Sequence, residues 1–88
     1  MTKIKICGLK RIEDVEAVNQ YHPDYAGFII DYPQSFRSTT EEEVKYLTSK
    51  LDSDITSVGV FVNAEIQMII NLLQQNVIDA VQLHGEED

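Results

Sequence analysis

Three side chains that could take part in chemistry stand near the ends of segments with the composition of β-strands. Cys7 lies near the carboxyl end of the first such segment, Arg37 in the loop after the second, and His84 at the tip of the fourth. A thiolate acts as a base or nucleophile, an arginine clamps a carboxylate or phosphate, and an imidazole titrates near neutral pH. Active sites of parallel α/β folds are built at the carboxyl ends of strands, so these three are the candidate functional residues.

Each candidate also has a structural interpretation. A strand cysteine is often an inert buried thiol, a loop arginine is often a surface charge, and a lone histidine is often solvated. Asn63, after the third strand, is better interpreted as a helix cap than as a substrate contact. The chain has no phosphate-binding glycine motif, and one cysteine with two histidines predicts no metal site.

The elements that must position these residues alternate between strand and helix. Single helices between strands imply a parallel sheet with right-handed crossovers, either an open flavodoxin-like sheet or part of an eight-stranded barrel. A loop is expected over 85–88. Strands are predicted at Lys3–Leu9, Tyr25–Ile30, Ile55–Val62 and Asp79–His84, and helices at Arg11–Tyr21, at Thr40–Leu51 and after Asn63, the last with an apolar face of Ile66, Ile69, Ile70 and Leu73.

Two local patterns refine this prediction. Thr40 and Glu43 have the spacing of a capping box at the start of the second helix. In the first strand, alternation places Lys5 and Cys7 on the face opposite Ile6. If Ile6 faces the helices, Lys5 and Cys7 point into a barrel lumen, where we expect the lysine to have a carboxylate partner.

Length and charge exclude several classes of protein. The 88 residues allow one domain, and a 43% hydrophobic content is that of a globular chain. The net charge of −8 argues against nucleic acid and anionic membranes as partners. No apolar run is long enough to span a bilayer, and a single cysteine without a partner predicts a cytoplasmic protein.

The sequence resembles the N-terminal part of phosphoribosylanthranilate isomerases, enzymes of tryptophan biosynthesis. The resemblance extends over nearly the whole chain, and Phe36 departs from it because the family usually has proline there. It is carried by Lys5–Leu9 (KICGL) with Arg11, Glu13 and Asp14, by Ala26–Ile29 (AGFI), by Ser35 and Arg37, by Gly59–Asn63 (GVFVN) and by Val81–Glu86 (VQLHGE).

The resemblance implies a TIM (β/α)8 barrel, of which residues 1–88 would be the N-terminal half with four strands and three helices. It implies the Amadori rearrangement of N-(5′-phosphoribosyl)anthranilate without a cofactor. Cys7 matches the family's general base, Arg37 the residue that holds the anthranilate carboxylate, and His84 a residue beside it. The family's general acid and phosphate loops belong to the second half of the barrel, and no segment of this sequence matches them.

A second hypothesis treats the chain as a half-barrel without catalytic activity, serving as a structural or binding module. Four barrel strands leave two sheet edges unpaired, and unpaired edges favour association with another chain. We therefore expect a homo-oligomer or pairing with a second half-barrel, and no turnover by the 88-residue chain alone.

Overall fold

A computed structural model describes residues 3–84, which fold into a parallel sheet with three helices. The loop expected over 85–88 lies outside the described residues. The elements in chain order are β1 Lys5–Ile6, α1 Ile12–Tyr21, β2 Tyr25–Ile30, β3 Ser38–Thr39, α2 Glu41–Ser49, β4 Thr56–Phe61, α3 Ile66–Gln74 and β5 Ala80–Leu83.

The main strands lie in the order β1-β2-β4-β5, and every pairing is parallel. This confirms the predicted α/β architecture. The short strand β3 was not predicted, and it pairs with the end of β2, with Ser38 opposite Ile29. Its two residues are held there because the Thr39 hydroxyl donates to the Ile29 carbonyl at 2.9 Å and the Asp31 amide donates to the Thr39 carbonyl at 2.8 Å.

The core lies between the sheet and the helices. Ala26, Phe28 and Ile30 alternate along β2 and are fully buried on the helix side. Burial of each large apolar side chain stabilises the fold by roughly 1.5–3 kcal/mol. The helices contribute Val15 and Val18 from α1, Val44 and Leu47 from α2, and Leu72 from α3. No helix within residues 3–84 is long and apolar enough to cross a bilayer.

The opposite face of the sheet is concave. The ammonium of Lys5 on β1 donates to the side-chain oxygen of Gln82 on β5, although β2 and β4 lie between these strands. In a flat sheet, three inter-strand steps and a four-residue offset along the strands would separate their Cα atoms by roughly 20 Å, beyond the reach of the two side chains. The sheet therefore curves as a barrel wall does. The prediction of a carboxylate partner for Lys5 was wrong, since its ammonium bonds to the amide oxygen of Gln82 instead.

The capping box of α2 is confirmed. The Thr40 hydroxyl accepts the Glu43 amide at 3.1 Å, and the Glu43 carboxylate accepts the Thr40 amide at 2.9 Å. The cap predicted at Asn63 is wrong, because the residue before α3 is Glu65 and Asn63 adopts a left-handed conformation with φ 53°. The chain thus turns at Asn63 before the helix begins.

Two predicted segments differ most from the structure, one in extent and one in the exposure of its apolar residues. The first strand is shorter than Lys3–Leu9, because Gly8 has φ +80° and takes the chain out of the extended conformation. The apolar face expected on α3 is wrong in part. Leu72 is buried, whereas Ile66 is 73% exposed and Ile70 and Leu73 are more than a third exposed. The helix carries more apolar residues than the sheet beneath it covers.

Candidate functional site

Cys7 lies at the carboxyl end of β1, as the sequence predicted, and its side chain is exposed rather than buried. The backbone just after it is fixed to β2, because the amides of Gly8 and Leu9 both donate to the Gly27 carbonyl, at 3.0 and 3.2 Å. Ile6 packs against the core from the other face of the strand. The alternation predicted from the sequence therefore places the thiol away from the core, on the same face as Lys5.

Arg37 lies directly beside the segment that carries the thiol. Its guanidinium donates from Nη1 to the Gly8 carbonyl at 3.2 Å and lies 5.4 Å from the centre of the Phe36 ring. Its backbone amide donates to the Ser35 hydroxyl at 3.2 Å. Glycine suits position 8 because its φ of +80° would strain a residue with a side chain, and a Cβ there would also lie 2.8 Å from Cδ of Arg37. The loop after β2 thus contacts the loop after β1 and is hydrogen-bonded to it.

Lys10 strengthens the junction between these loops, and Asp14 fixes the segment that leads into α1. The Lys10 ammonium donates to the Ser38 carbonyl at 2.8 Å. The Asp14 carboxylate accepts the backbone amides of Lys10 and Arg11, both at 3.0 Å. These two hydrogen bonds lower the pKa of Asp14, and the positive charges of Arg11 and Arg37 lower it further. An ionised carboxylate therefore holds the start of α1.

Cys7 and Arg37 line one cleft of about 250 Å³ at the edge of β1. Gly8 and Asp14 also line it. Its wall is formed by Ile6 and Leu9 and by Ala17, Val18 and Tyr21 of α1, so the cleft opens between the edge of β1 and this helix. Asp14 was not among the predicted site residues. The signal that could have found it is an acid in the first turn of a helix that begins directly after a candidate active-site strand.

His84 does not line the cleft of Cys7 and Arg37. It lies after β5, where its amide donates to the Phe61 carbonyl at 2.8 Å, and it borders a separate depression together with Asn63 and Ile66. Its neighbour Leu83 is 72% exposed. The described residues therefore bring two of the three candidates together and leave the third apart.

A group of possible metal ligands lies elsewhere, in the loops before β2 and β4. Nε2 of His22 is 3.0 Å from a carboxylate oxygen of Asp54, and Asp52 is close to both. All three side chains are exposed, and they belong to loops that precede strands rather than follow them. We assign no metal to this group, because surface contacts between imidazole and carboxylate form without one.

The fold and the site together define the class. A curved, wholly parallel sheet with helices on its convex face, and with polar residues at the carboxyl ends of its strands, has the architecture of a (β/α)8-barrel wall. A family model described as N-(5′-phosphoribosyl)anthranilate isomerase matches residues 4–88. The chain belongs to this family.

Individual relatives agree. A curated N-(5′-phosphoribosyl)anthranilate isomerase from Clostridium kluyveri is 47% identical over 88 residues, which is all of this chain and 43% of that relative. The structure of a phosphoribosyl anthranilate isomerase in complex with reduced 1-(o-carboxyphenylamino)-1-deoxyribulose 5-phosphate is similar with a TM-score of 0.86, at 36% identity. It matches all of this chain over 45% of its own length.

A second solved structure, of mutually generated monomers of the dimeric isomerase from Thermotoga maritima, has a TM-score of 0.83 and 38% identity. It matches 100% of this chain and 44% of its own. The chain thus spans less than half the length of the relatives it matches, and the match to barrel structures confirms the predicted half-barrel architecture.

Proposed function

We propose that this chain contributes the N-terminal half of the active site of a phosphoribosylanthranilate isomerase, with residues 1–88 forming one half of the barrel. The reaction is the Amadori rearrangement of N-(5′-phosphoribosyl)anthranilate to 1-(2-carboxyphenylamino)-1-deoxyribulose 5-phosphate. An acid protonates the ring oxygen of the ribose, the ring opens to a Schiff base, a base removes the proton from C2′, and the enol-amine tautomerises to the ketone. Atoms and charges balance without a cofactor.

Cys7 is the proposed base. The proton to be removed lies on a carbon next to an iminium, so it is acidic enough for a thiolate to take it. The exposed position of Cys7 at the carboxyl end of β1 gives a substrate on the concave face access to the sulfur. The thiol formed in this step can return its proton when the enol-amine becomes the ketone.

Arg37 is the proposed site for the anthranilate carboxylate. A guanidinium can present two parallel N–H donors to a carboxylate. The one hydrogen bond from Nη1 to the Gly8 carbonyl leaves other donors of Arg37 for the substrate. We assign His84 a lesser contact beside the substrate, since it borders a different depression. The acid and the phosphate-binding loops are proposed to come from a second half of the barrel, outside residues 1–88.

One observation carries this proposal: at the carboxyl end of β1, the guanidinium of Arg37 is hydrogen-bonded to the carbonyl of Gly8, the residue that follows the thiol. A base and a carboxylate clamp must lie this close to act on one small substrate, because the anthranilate ring is attached to the ribose carbon next to C2′. For such an enzyme, a reducing compartment such as the cytoplasm would keep the only cysteine free.

The experiment joins residues 1–88 to the remaining C-terminal part of a relative and follows product formation by chromatography. The joined protein should turn over substrate, and the same C-terminal part joined to a Cys7→Ala, Arg37→Ala version should not. The 88-residue chain alone should show no turnover. Equal activity of the joined protein and its doubly substituted version would refute the assignment of this site.

We also propose that the isolated chain pairs with a second copy or with another half-barrel. Among residues 3–84, β1 pairs only with β2 and β5 only with β4, so each presents an unpaired edge. Pairing would satisfy these edges and cover the concave face that holds Lys5 and Gln82. Sedimentation at micromolar concentration should give a dimer or larger species, and a compact monomer that unfolds cooperatively would contradict this.

A further inference from the structure

We propose that Gly27 is a positioning residue for the thiol of Cys7: because Gly27 has no side chain, the sulfur can occupy the position that it has in this structure. This inference rests on the proposed role of Cys7 as the base. Gly27 lies in β2, the strand next to the one that carries Cys7. The absence of a Cβ at this position leaves a space on the concave face that the sulfur occupies.

The steric observation is direct. A Cβ built on Gly27 would lie 2.7 Å from Sγ of Cys7, and 3.4 and 3.5 Å from its Cα and Cβ. Only the contact with the sulfur is impossibly short, whereas the other two are ordinary van der Waals distances. A cysteine side chain has one torsion with three staggered positions. An alanine at position 27 would therefore exclude the position that the sulfur now holds.

The backbone cannot easily relieve that contact. The Gly27 carbonyl accepts the amides of both Gly8 and Leu9, which ties β1 to β2 immediately after the cysteine. A shift of β1 away from β2 would lengthen both hydrogen bonds and separate Gly8 from Arg37. The sulfur is free to rotate at much lower cost, so rotation of the thiol is the expected response to a methyl group at position 27.

This displacement would affect proton transfer more than substrate binding. A misplacement of about 1 Å can lower the rate of a catalysed step by about a hundredfold. The three atoms nearest to a Cβ at Gly27 all belong to Cys7. Arg37 contacts Gly8, Ser35 and Phe36 instead, so a methyl group at position 27 should leave the guanidinium in place. Gly27→Ala in the joined enzyme should therefore lower kcat at least tenfold and change KM less than threefold.

A second readout needs no turnover. Cys7 is the only cysteine, so alkylation by iodoacetamide reports on this thiol alone. In the 88-residue chain, Gly27→Ala should change the alkylation rate at least threefold and shift the midpoint of its pH profile, because the sulfur would occupy a different environment. The rates are compared under native conditions, after circular dichroism and sedimentation have established that both chains are folded and have the same oligomeric state.

Gly59→Ala is the matched control. A Cβ there would lie 2.8 Å from Cδ1 of Ile78 and 2.9 Å from Cε2 of Phe61, both of them core side chains on the helix side. This substitution should lower the urea midpoint of unfolding without changing the alkylation profile of the folded chain. It separates a general loss of stability from a change at the thiol.

Rescue by a second substitution tests the contact itself. Cys7→Ala removes the sulfur, so Gly27→Ala should lower the urea midpoint less in the Cys7→Ala background than in the parent chain. If Gly27→Ala fails to fold, recovery of folding by Cys7→Ala supports the proposal, and failure of the double variant overturns it. An unchanged alkylation profile in a folded Gly27→Ala chain also overturns it. Absence of turnover in the joined parent enzyme would refute the proposed function instead, because alkylation and rescue are measured independently of turnover.

Discussion

The carboxyl end of β1 and β2 differs sharply from that of β4 and β5. At the first end, Arg37 donates to the Gly8 carbonyl and Lys10 donates to the Ser38 carbonyl, so side chains bond one loop to the other. Asp14 accepts two amides at the start of α1. At the second end, Ile66 and Leu83 are 73% and 72% exposed beside His84.

This difference shows which of the two ends is held together by side-chain hydrogen bonds within residues 3–84. Hydrogen bonds from charged groups fix the position of the first end, and such bonds are stronger than those between neutral groups. The second end has an apolar surface without a cover among the described residues. We therefore expect substitutions at the first end to act on chemistry and binding, and those at the second end to have small effects.

The largest effect is expected from Cys7→Ser in the joined enzyme. The serine hydroxyl has a much higher pKa than the thiol and is a poor base, so kcat should fall by more than about tenfold, a rise of at least ~1.4 kcal/mol in the activation free energy. KM should stay nearly unchanged because the size of the residue is preserved. Steady-state kinetics measures both, and a variant with more than about a tenth of the parent kcat would contradict the assignment of Cys7.

Arg37→Ala should mainly raise KM, by about tenfold or more, because the lost hydrogen bonds contribute to ground-state and transition-state binding alike. Lys10→Ala is the control, since it removes a neighbouring positive charge and a loop contact without removing the guanidinium. Its effect on KM should be smaller. An unchanged KM in Arg37→Ala would show that the guanidinium does not bind the substrate.

His84→Ala should change kcat and KM by no more than about threefold, or roughly 0.7 kcal/mol. The reason is that His84 borders a different depression from Cys7 and Arg37. A rise in KM as large as that of Arg37→Ala would contradict the contrast between the two ends of the sheet, since it would place the imidazole in the same substrate site. The kinetics of the joined enzyme again provide the measurement.

The smallest effect concerns the stability contributed by Asp14. Its pKa is lowered in the folded chain, so its charge stabilises the fold above the unfolded pKa of about 3.9, and this contribution is lost as the pH falls through the folded pKa. The urea midpoints of the parent and Asp14→Asn chains should therefore differ most near pH 6 and converge as the pH falls through the lowered pKa of Asp14.

Glu16→Gln is the control for Asp14→Asn, because it removes one charge from an exposed position of the same helix. The difference in urea midpoint between Glu16→Gln and the parent should vary less over the same range of pH. A constant difference between the parent and Asp14→Asn at all values of pH would show that the carboxylate contributes by its shape and not by its charge.

Patterns local in sequence were enough to predict much of the fold. Thr40 and Glu43 formed the expected capping box, because its hydrogen bonds join residues three apart and need no distant partner. The second strand formed over Tyr25–Ile30 as predicted, because its β-branched and aromatic residues favour an extended conformation locally. Errors arose where burial depended on another element: α3 presents Ile66, Ile70 and Leu73 to solvent because one sheet face covers only one side of a helix.

By itself, the sequence determined the order of strands and helices, the parallel sheet and the placement of Cys7 and Arg37 after neighbouring strands. Periodicity and chain order encode these properties locally. Only the tertiary structure decided that Arg37 is bonded to Gly8, that His84 lies apart, and that the sulfur of Cys7 occupies the space left by Gly27. These contacts join residues about 20 or more positions apart, and their geometry depends on the curvature and register of the sheet, which no local pattern specifies.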